Sequence, residues 1–162
     1  MHETCRTYAF GLLLLLVSSV AQSQWTQTSG PRGWRVQDIV SIGSTLYAGT
    51  MWGGAVFVSA DGGVGWRSAS SGLPATWNGI LFLGRIGTAL FAGTNDGLFR
   101  SVDGGSSWSG ANTGLAKLND YYWSYDIAPL GSRVFLAGRD GVYESQDGGS
   151  HWFASNQEPP YI

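Results

Sequence analysis

Apolar and polar positions along this chain fall into two regimes. Residues Met1 to Ser23 hold one basic side chain, Arg6, ahead of an apolar stretch from Ala9 to Val17 with a Leu12–Leu16 run. Ala21 and Ser23 follow at the spacing a signal peptidase accepts, so residues 1–23 read as a secretory signal peptide. The apolar stretch is shorter than the roughly 20 residues a membrane span needs. From Gln24 onward the apolar positions come in short runs separated by glycine-rich turns, a pattern of strands rather than helices.

Those runs repeat. The segment Ser59-Ala60-Asp61-Gly62-Gly63-Val64-Gly65-Trp66 returns as Ser101-Val102-Asp103-Gly104-Gly105-Ser106-Ser107-Trp108 and again as Ser145-Gln146-Asp147-Gly148-Gly149-Ser150-His151-Trp152. The pattern S-x-D-G-G-x-x-W therefore occurs three times, and its aspartates are 42 and 44 residues apart. A second element precedes each copy: Gly43–Gly49, Gly87–Gly93 and Gly131–Gly138. In the first copy the stretch between the two elements is two residues longer, around Met51–Gly54.

Each unit predicts four strands. An inner run comes first, at Asp38–Ile42, Gly79–Leu83 and Asp126–Leu130. Runs of the Leu46–Gly49 and Val56–Ser59 type follow, joined by Asp-Gly or Gly-Gly turns that suit tight hairpins. A strand opened by the motif tryptophan closes the unit. Four strands in a repeat of about 40 to 45 residues is the pattern of a β-propeller blade. The expected fold is all-β: a β-propeller of about three four-stranded blades, near residues 25–66, 67–108 and 109–152, with 153–162 as a tail or the start of a further blade.

Composition narrows the chemistry. The chain has 162 residues with 25 glycines, 14% aromatic and only 12% charged residues, against roughly 25% charged in typical domains. Net charge is −2 and Lys117 is the single lysine, so a basic footprint for nucleic acid is missing. The one cysteine, Cys5, lies in the leader, and His151 is the one histidine after it, inside a motif turn. A metal site, a thiol or a histidine-based triad has no material to build on, and no cofactor is expected.

The repeated motif resembles the Asp-box, or bacterial neuraminidase repeat, of propellers such as sialidases, xyloglucan-cleaving glycosidases, sortilin-type receptors and photosystem II stability and assembly factors. Its residues read as a turn clamp. Asp61, Asp103 and Asp147 suit bonds to amides of their own turns, set up by Ser59, Ser101 and Ser145. Gly63, Gly105 and Gly149 accept positive φ. Trp66, Trp108 and Trp152 fill space within the hairpin or against a neighbouring blade. Three identical copies, one per blade, do not converge on one active site, so these residues are structural. The resemblance implies that the motif turns lie opposite the functional face.

The other face carries the turns Thr50–Gly54, Thr94–Gly97 and Arg139–Gly141 and the linkers Thr26–Arg35, Arg67–Trp77 and Ser109–Ser124. Their aromatics, Trp52, Trp77, Tyr121, Tyr122 and Trp123, are the candidate ligand-binding residues, since a pyranose offers an apolar face to an aromatic ring. Asp38 and Asp126 are the candidate catalytic carboxylates, each ahead of an isoleucine on an inner strand; glycoside hydrolysis needs two carboxylates about 5–10 Å apart. The sialidase pattern departs here. Arg85-Ile86 is followed by Gly87 rather than proline, and Glu144 sits at a variable position before the motif serine. The expectation is a secreted or periplasmic binding or assembly scaffold for a glycan or extracytoplasmic protein, with a fragment of a propeller glycoside hydrolase as the alternative. Closed propellers have about four to eight blades. Three blades imply either further C-terminal blades or a homo-oligomer, because an open arc exposes apolar faces and sheet edges.

Overall fold

The computed structural model describes residues 28, 30–31, 35–53, 55–74 and 79–155. The expected signal peptide, Trp34, Trp77, Asn78 and the segment after Ser155 lie outside them. Twelve strands form three four-stranded antiparallel sheets, each with its strands in sequence order. The first holds β1 (Arg35–Ile42), β2 (Thr45–Met51), β3 (Val56–Ser59) and β4 (Arg67–Ser68). The second holds β5 (Phe82–Ile86), β6 (Ala89–Thr94), β7 (Gly97–Ser101) and β8 (Ser109–Gly110). The third holds β9 (Ser124–Leu130), β10 (Arg133–Gly138), β11 (Gly141–Ser145) and β12 (Phe153–Ala154). Among the described residues there is no helix. The result is an all-β, unclosed arc of three propeller blades.

Local chemistry fixes each hairpin. Two-residue turns at Gly43-Ser44, Gly87-Thr88 and Gly131-Ser132 join the first two strands of each sheet. Their glycines have φ of +59°, +58° and +61°, the sign that twist-matched hairpin turns need at the first central position. A Cβ added at Gly43, Gly87 or Gly131 meets nothing within 4 Å, so backbone conformation alone selects glycine there. The fourth strand of each sheet follows the motif tryptophan and pairs with the third, Phe57 with Ser68 in the first sheet and Glu144 with Phe153 in the last.

The inner run of the second sheet differs from its sequence-based placement. The strand is Phe82–Ile86, not Gly79–Leu83, because Ile86 pairs with Ala89 across the Gly87-Thr88 turn. Gly79 instead has φ of +67° and abuts the backbone of Thr50–Trp52, and the Ile80 amide donates to the Thr50 carbonyl at 2.9 Å. These two residues seat the linker on the neighbouring sheet before the strand begins.

The core lies in two seams between sheets. Tyr47, Val56 and Val58 of the first sheet bury against Ile80, Leu83, Leu90, Ala92 and Trp108 of the second. Phe82, Phe91 and Leu98 of the second bury against Ile127, Val134, Leu136, Tyr143 and Trp152 of the third. Each fully buried Leu, Val or Phe contributes about 1.5–3 kcal/mol of apolar burial. Glycines make room at the second seam: a Cβ on Gly84 would stand 2.3 Å from Ile127 Cγ2 of the third sheet, and one on Gly93 2.1 Å from the ring of Phe82, its own cross-strand neighbour.

Candidate functional site

The three motif turns have one geometry. Ser59 Oγ donates to Asp61 Oδ1 at 2.7 Å and accepts from the Gly63 amide at 2.9 Å. Asp61 Oδ1 also accepts from the Gly65 amide at 2.8 Å. Ser101 and Asp103 repeat this with Gly105 and the Ser107 amide, and Ser145 and Asp147 with Gly149 and the His151 amide. Two turns add a side-chain bond: Ser107 Oγ donates to Asp103 Oδ2 at 2.5 Å, and His151 Nδ1 lies 2.6 Å from Asp147 Oδ2. All three carboxyls titrate below their ordinary value because these bonds favour the charged form. For Asp61 the Gly65 amide is the main cause, for Asp147 the His151 amide. The Ser107 hydroxyl brings Asp103 down to about 2.

The tryptophans divide into two kinds. Trp108 and Trp152 are buried in the seams, and each docks on the linker that leaves the preceding sheet. Trp108 Nε1 donates to the Ala69 carbonyl at 2.7 Å, and Trp152 Nε1 to that of Ala111 at 2.9 Å. Trp66 is only half-buried, and its Nε1 donates to Gly63 of its own turn at 3.0 Å. The second motif glycine also reaches the preceding sheet. A Cβ on Gly105 would meet the Tyr47 ring edge at 3.5 Å, and one on Gly149 would meet Phe91 at 2.6 Å. Sequence alone left open which blade each tryptophan meets.

The candidate carboxylates bond backbone. Asp38 Oδ1 accepts from the Ile39 amide at 2.7 Å, while Oδ2 crosses the seam to the Leu83 amide at 3.0 Å. Position 82, where the repeat would place the second sheet's aspartate, is Phe82, so Leu83 takes its acceptor from the neighbouring sheet. Asp126 Oδ1 accepts from the Ile127 amide at 2.8 Å. Among the described residues no group of three or more His, Cys, Asp or Glu side chains stands close enough to hold a metal ion.

The opposite end of the second seam gathers three of the candidate aromatics. Leu118 and Tyr121 pair across Asn119-Asp120, both at positive φ (+52° and +65°), a conformation that Asn and Asp adopt more readily than other non-glycine residues. This small hairpin presents Tyr121, Tyr122 and Trp123. The rings of Tyr121 and Trp123 meet edge to face at 6.2 Å. Lys117 Nζ lies 5.1 Å from the Tyr122 ring centroid, and the Arg139 guanidinium 5.4 Å from that of Trp123, both within cation–π range. The Tyr122 amide donates to Asn95 O, and the Arg139 amide to Trp123 O, tying linker to turns.

Two buried polar atoms near this cluster, Asn95 Oδ1 and Ser124 Oγ, have no hydrogen-bond partner among the described residues. Ser124 lines a cleft with Tyr122, Trp123, Asp140 and Tyr143. The Tyr143 hydroxyl donates to Asp140 Oδ2 at 2.5 Å, and burial is the main cause that pushes its pKa up. The cleft's volume is about 10 Å³, room for roughly one water rather than a sugar ring. A ligand here would therefore lie across the rim. Lys117, Arg139 and Ser124 were not among the sequence candidates; a cation beside an aromatic triplet was the available signal.

Trp52 stands at the corresponding end of the first seam. It is 58% exposed and holds φ of +60°, an outlier for a bulky residue that costs of order 1–3 kcal/mol. Among the described residues it makes no ring contact with Tyr121 or Trp123. Trp77 lies outside the described residues.

Fold and site together define three β-propeller blades with an aromatic, cation-flanked loop face. Comparison with solved structures agrees with that class. YCF48 from Cyanidioschyzon merolae matches with TM-score 0.61 and 20% identity, over 80% of this chain and 39% of that one. The extracellular domain of the hybrid two component system BT4673 from B. thetaiotaomicron matches with TM-score 0.65 and 16% identity, over 82% of this chain and 18% of that one. The GH74 xyloglucanase from Xanthomonas campestris matches with TM-score 0.52 and 18% identity, over 72% of this chain and 22% of that one. The chain thus spans about two fifths of the first of these and about a fifth of the others. No family model and no curated protein matches it. Among the described residues no helix is long and apolar enough to cross a membrane.

Proposed function

We propose that this chain is an extracytoplasmic Asp-box propeller segment that acts as a non-catalytic binding scaffold through its loop face. The observation that carries this reading is the cluster of Tyr121, Tyr122 and Trp123 with Lys117 and Arg139, next to two buried polar atoms that have no hydrogen-bond partner among the described residues. Rings beside cations and open polar atoms suit a ligand with apolar C–H faces and hydroxyls, so a glycan is the first ligand class and an extracytoplasmic protein the second. The Asp-box assignment rests on the three matching Ser–Asp–Gly turns. Secretion rests on the sequence of residues 1–23, and one of the similar structures is an extracellular domain.

The second reading is a segment of a propeller glycoside hydrolase, and similarity to a xyloglucanase supports it. Asp38 speaks against it, because both its oxygens accept backbone amides. Affinity electrophoresis through β-glucans, xyloglucan included, and sialosides, with product release assayed in parallel, separates the readings. Retention without product, weakened at least tenfold by Trp123→Ala, is expected. Product release that disappears in Asp126→Asn would establish the hydrolase. Neither retention nor release would remove the glycan and leave the loop face to a protein.

A further inference from the structure

The third sheet repeats the second at a step of 44 residues, and at one corner its side chains turn smaller or more polar. Where the second sheet has Ile80, Thr94 and Phe99, the third has Ser124, Gly138 and Tyr143. The positions are equivalent in space as well. Ile80 fills the room at Gly49, where an added Cβ would meet its Cγ2 at 2.7 Å. Ser124 stands in the same way against Gly93, with Oγ 3.0 Å from an added Cβ. Thr94 Oγ1 closes its turn by donating to the Gly97 carbonyl at 3.0 Å, as Thr50 does to Ala55 at 3.1 Å. Gly138 has no side chain for that bond, and a Cβ there would come within 3.2 Å of both Asp140 Oδ1 and Tyr143 Cε2.

Ser124, Gly138 and Tyr143 all line the cleft that Asp140, Tyr122 and Trp123 share with them. The fold does not ask for these three residues. The second sheet packs with isoleucine, threonine and phenylalanine at the same places, Ile80 0% and Thr94 1% exposed and Phe99 against the core. Within the cleft the Tyr143 hydroxyl is already engaged, donating to Asp140 Oδ2 and accepting from the Ala116 amide at 3.3 Å. Ser124 is 2% exposed, and its Oγ has no hydrogen-bond partner among the described residues. A buried hydroxyl without a partner is destabilising, and rotation about one side-chain bond is enough to offer it to a group in the cleft.

We infer, resting on the glycan reading above, that this cleft seats the hydroxymethyl group of a neutral hexopyranose whose ring lies across the aromatic rim. Room for roughly one water admits the hydroxyl end of that group and no sugar ring. A hydroxyl both donates and accepts, which matches the Asp140 carboxylate on one side and Ser124 Oγ on the other. A carboxylate in its place would stand against Asp140, and an acetamido group exceeds the space. When a pyranose lies flat on an aromatic ring its secondary hydroxyls stay at the ring edge, and its hydroxymethyl group reaches further. Ser124 is then a specificity-determining residue, and the chain it selects is built of hexoses rather than pentoses.

Isothermal titration calorimetry of the purified full chain with cellohexaose, mannohexaose and xylohexaose tests this. The xylose chain differs from the cellulose one only in lacking the hydroxymethyl groups. At least one hexose chain should bind tenfold or more tighter than xylohexaose. In Ser124→Ala that preference should fall to about twofold or less, and Tyr143→Phe, which copies Phe99, should lower it too. Near-ultraviolet circular dichroism of the tryptophans checks that both variants keep the fold. Equal affinities for hexose and pentose chains, or a preference that survives Ser124→Ala, would overturn the inference and leave the glycan reading standing. Binding of none of the three would overturn it as well, and the electrophoresis with β-glucans and sialosides then shows whether the glycan reading falls with it.

Discussion

Asp61, Asp103 and Asp147 hold their turns as carboxylates, which ties stability to pH. Their folded values lie below the ordinary 3.8, with Asp103 at about 2. A depressed value means the contribution is whole above the unfolded value and is lost as pH falls through the folded one. Urea midpoints should therefore hold steady from pH 7 to about 5 and fall between about 4 and 2, and Asp103→Asn should flatten that fall. The tryptophans differ by their surroundings. Removing a large aromatic from a packed core costs about 3–5 kcal/mol, so Trp152→Ala should lower the unfolding free energy by that order. Trp66→Ala, at a half-exposed position whose indole bonds its own turn, should cost clearly less in the same titration. These roles were partly legible in the sequence. Serine and aspartate act within their own turn, and the second glycine's positive φ is set there too, so eight residues suffice to read those roles. The docking of Trp108 on Ala69 is not local, and nothing at position 108 names its partner.

At the scale of elements, register separates what could be read from what could not. Hairpins closed by Gly43-Ser44, Gly87-Thr88 and Gly131-Ser132 were legible, because a required positive φ leaves a glycine in the sequence. The start of β5 was not, since Gly79-Ile80 looks as apolar as a strand while the Ile80 amide bonds Thr50 of the preceding sheet. Close approach between inner strands was equally hidden. Gly84 stands where the first and third sheets have Val40 and Ala128, and only the structure shows Ile127 in the space of its missing Cβ. Gly84→Ala should destabilise the chain by about 1–3 kcal/mol through overpacking. The double variant with Ile127→Ala should cost less than the two single effects added, a coupling that thermal and urea unfolding of the four-member cycle would measure. The Leu118–Tyr121 hairpin was legible only as an aromatic linker; its Asn-Asp turn determines which way the rings are presented.

For the whole molecule, the repeat made the architecture readable, because each blade restates the same turn chemistry. The candidate site was less so. It forms where a linker of one period meets turns of two sheets, and that meeting depends on how the sheets stack. Tyr121, Tyr122 and Trp123 stood out by composition, whereas Arg139 and Ser124 enter only because β9 and β10 bring them beneath the linker. Trp108 and Trp152 beside the motif turns hold the sheets together, and the proposed binding role falls to the loop face at the other end. Side-chain indole N–H signals report on both faces at once, since Trp108 and Trp152 mark the seams while Trp123 and Trp52 mark the loop face. In a heteronuclear NMR titration with the β-glucan oligosaccharide best retained in electrophoresis, the Trp123 signal should move progressively. Those of Trp108 and Trp152 should hold still, and no new reducing ends should appear. Shifts confined to Trp66 and the motif turns, or steady release of product, would contradict the assignment of a binding loop face without catalysis.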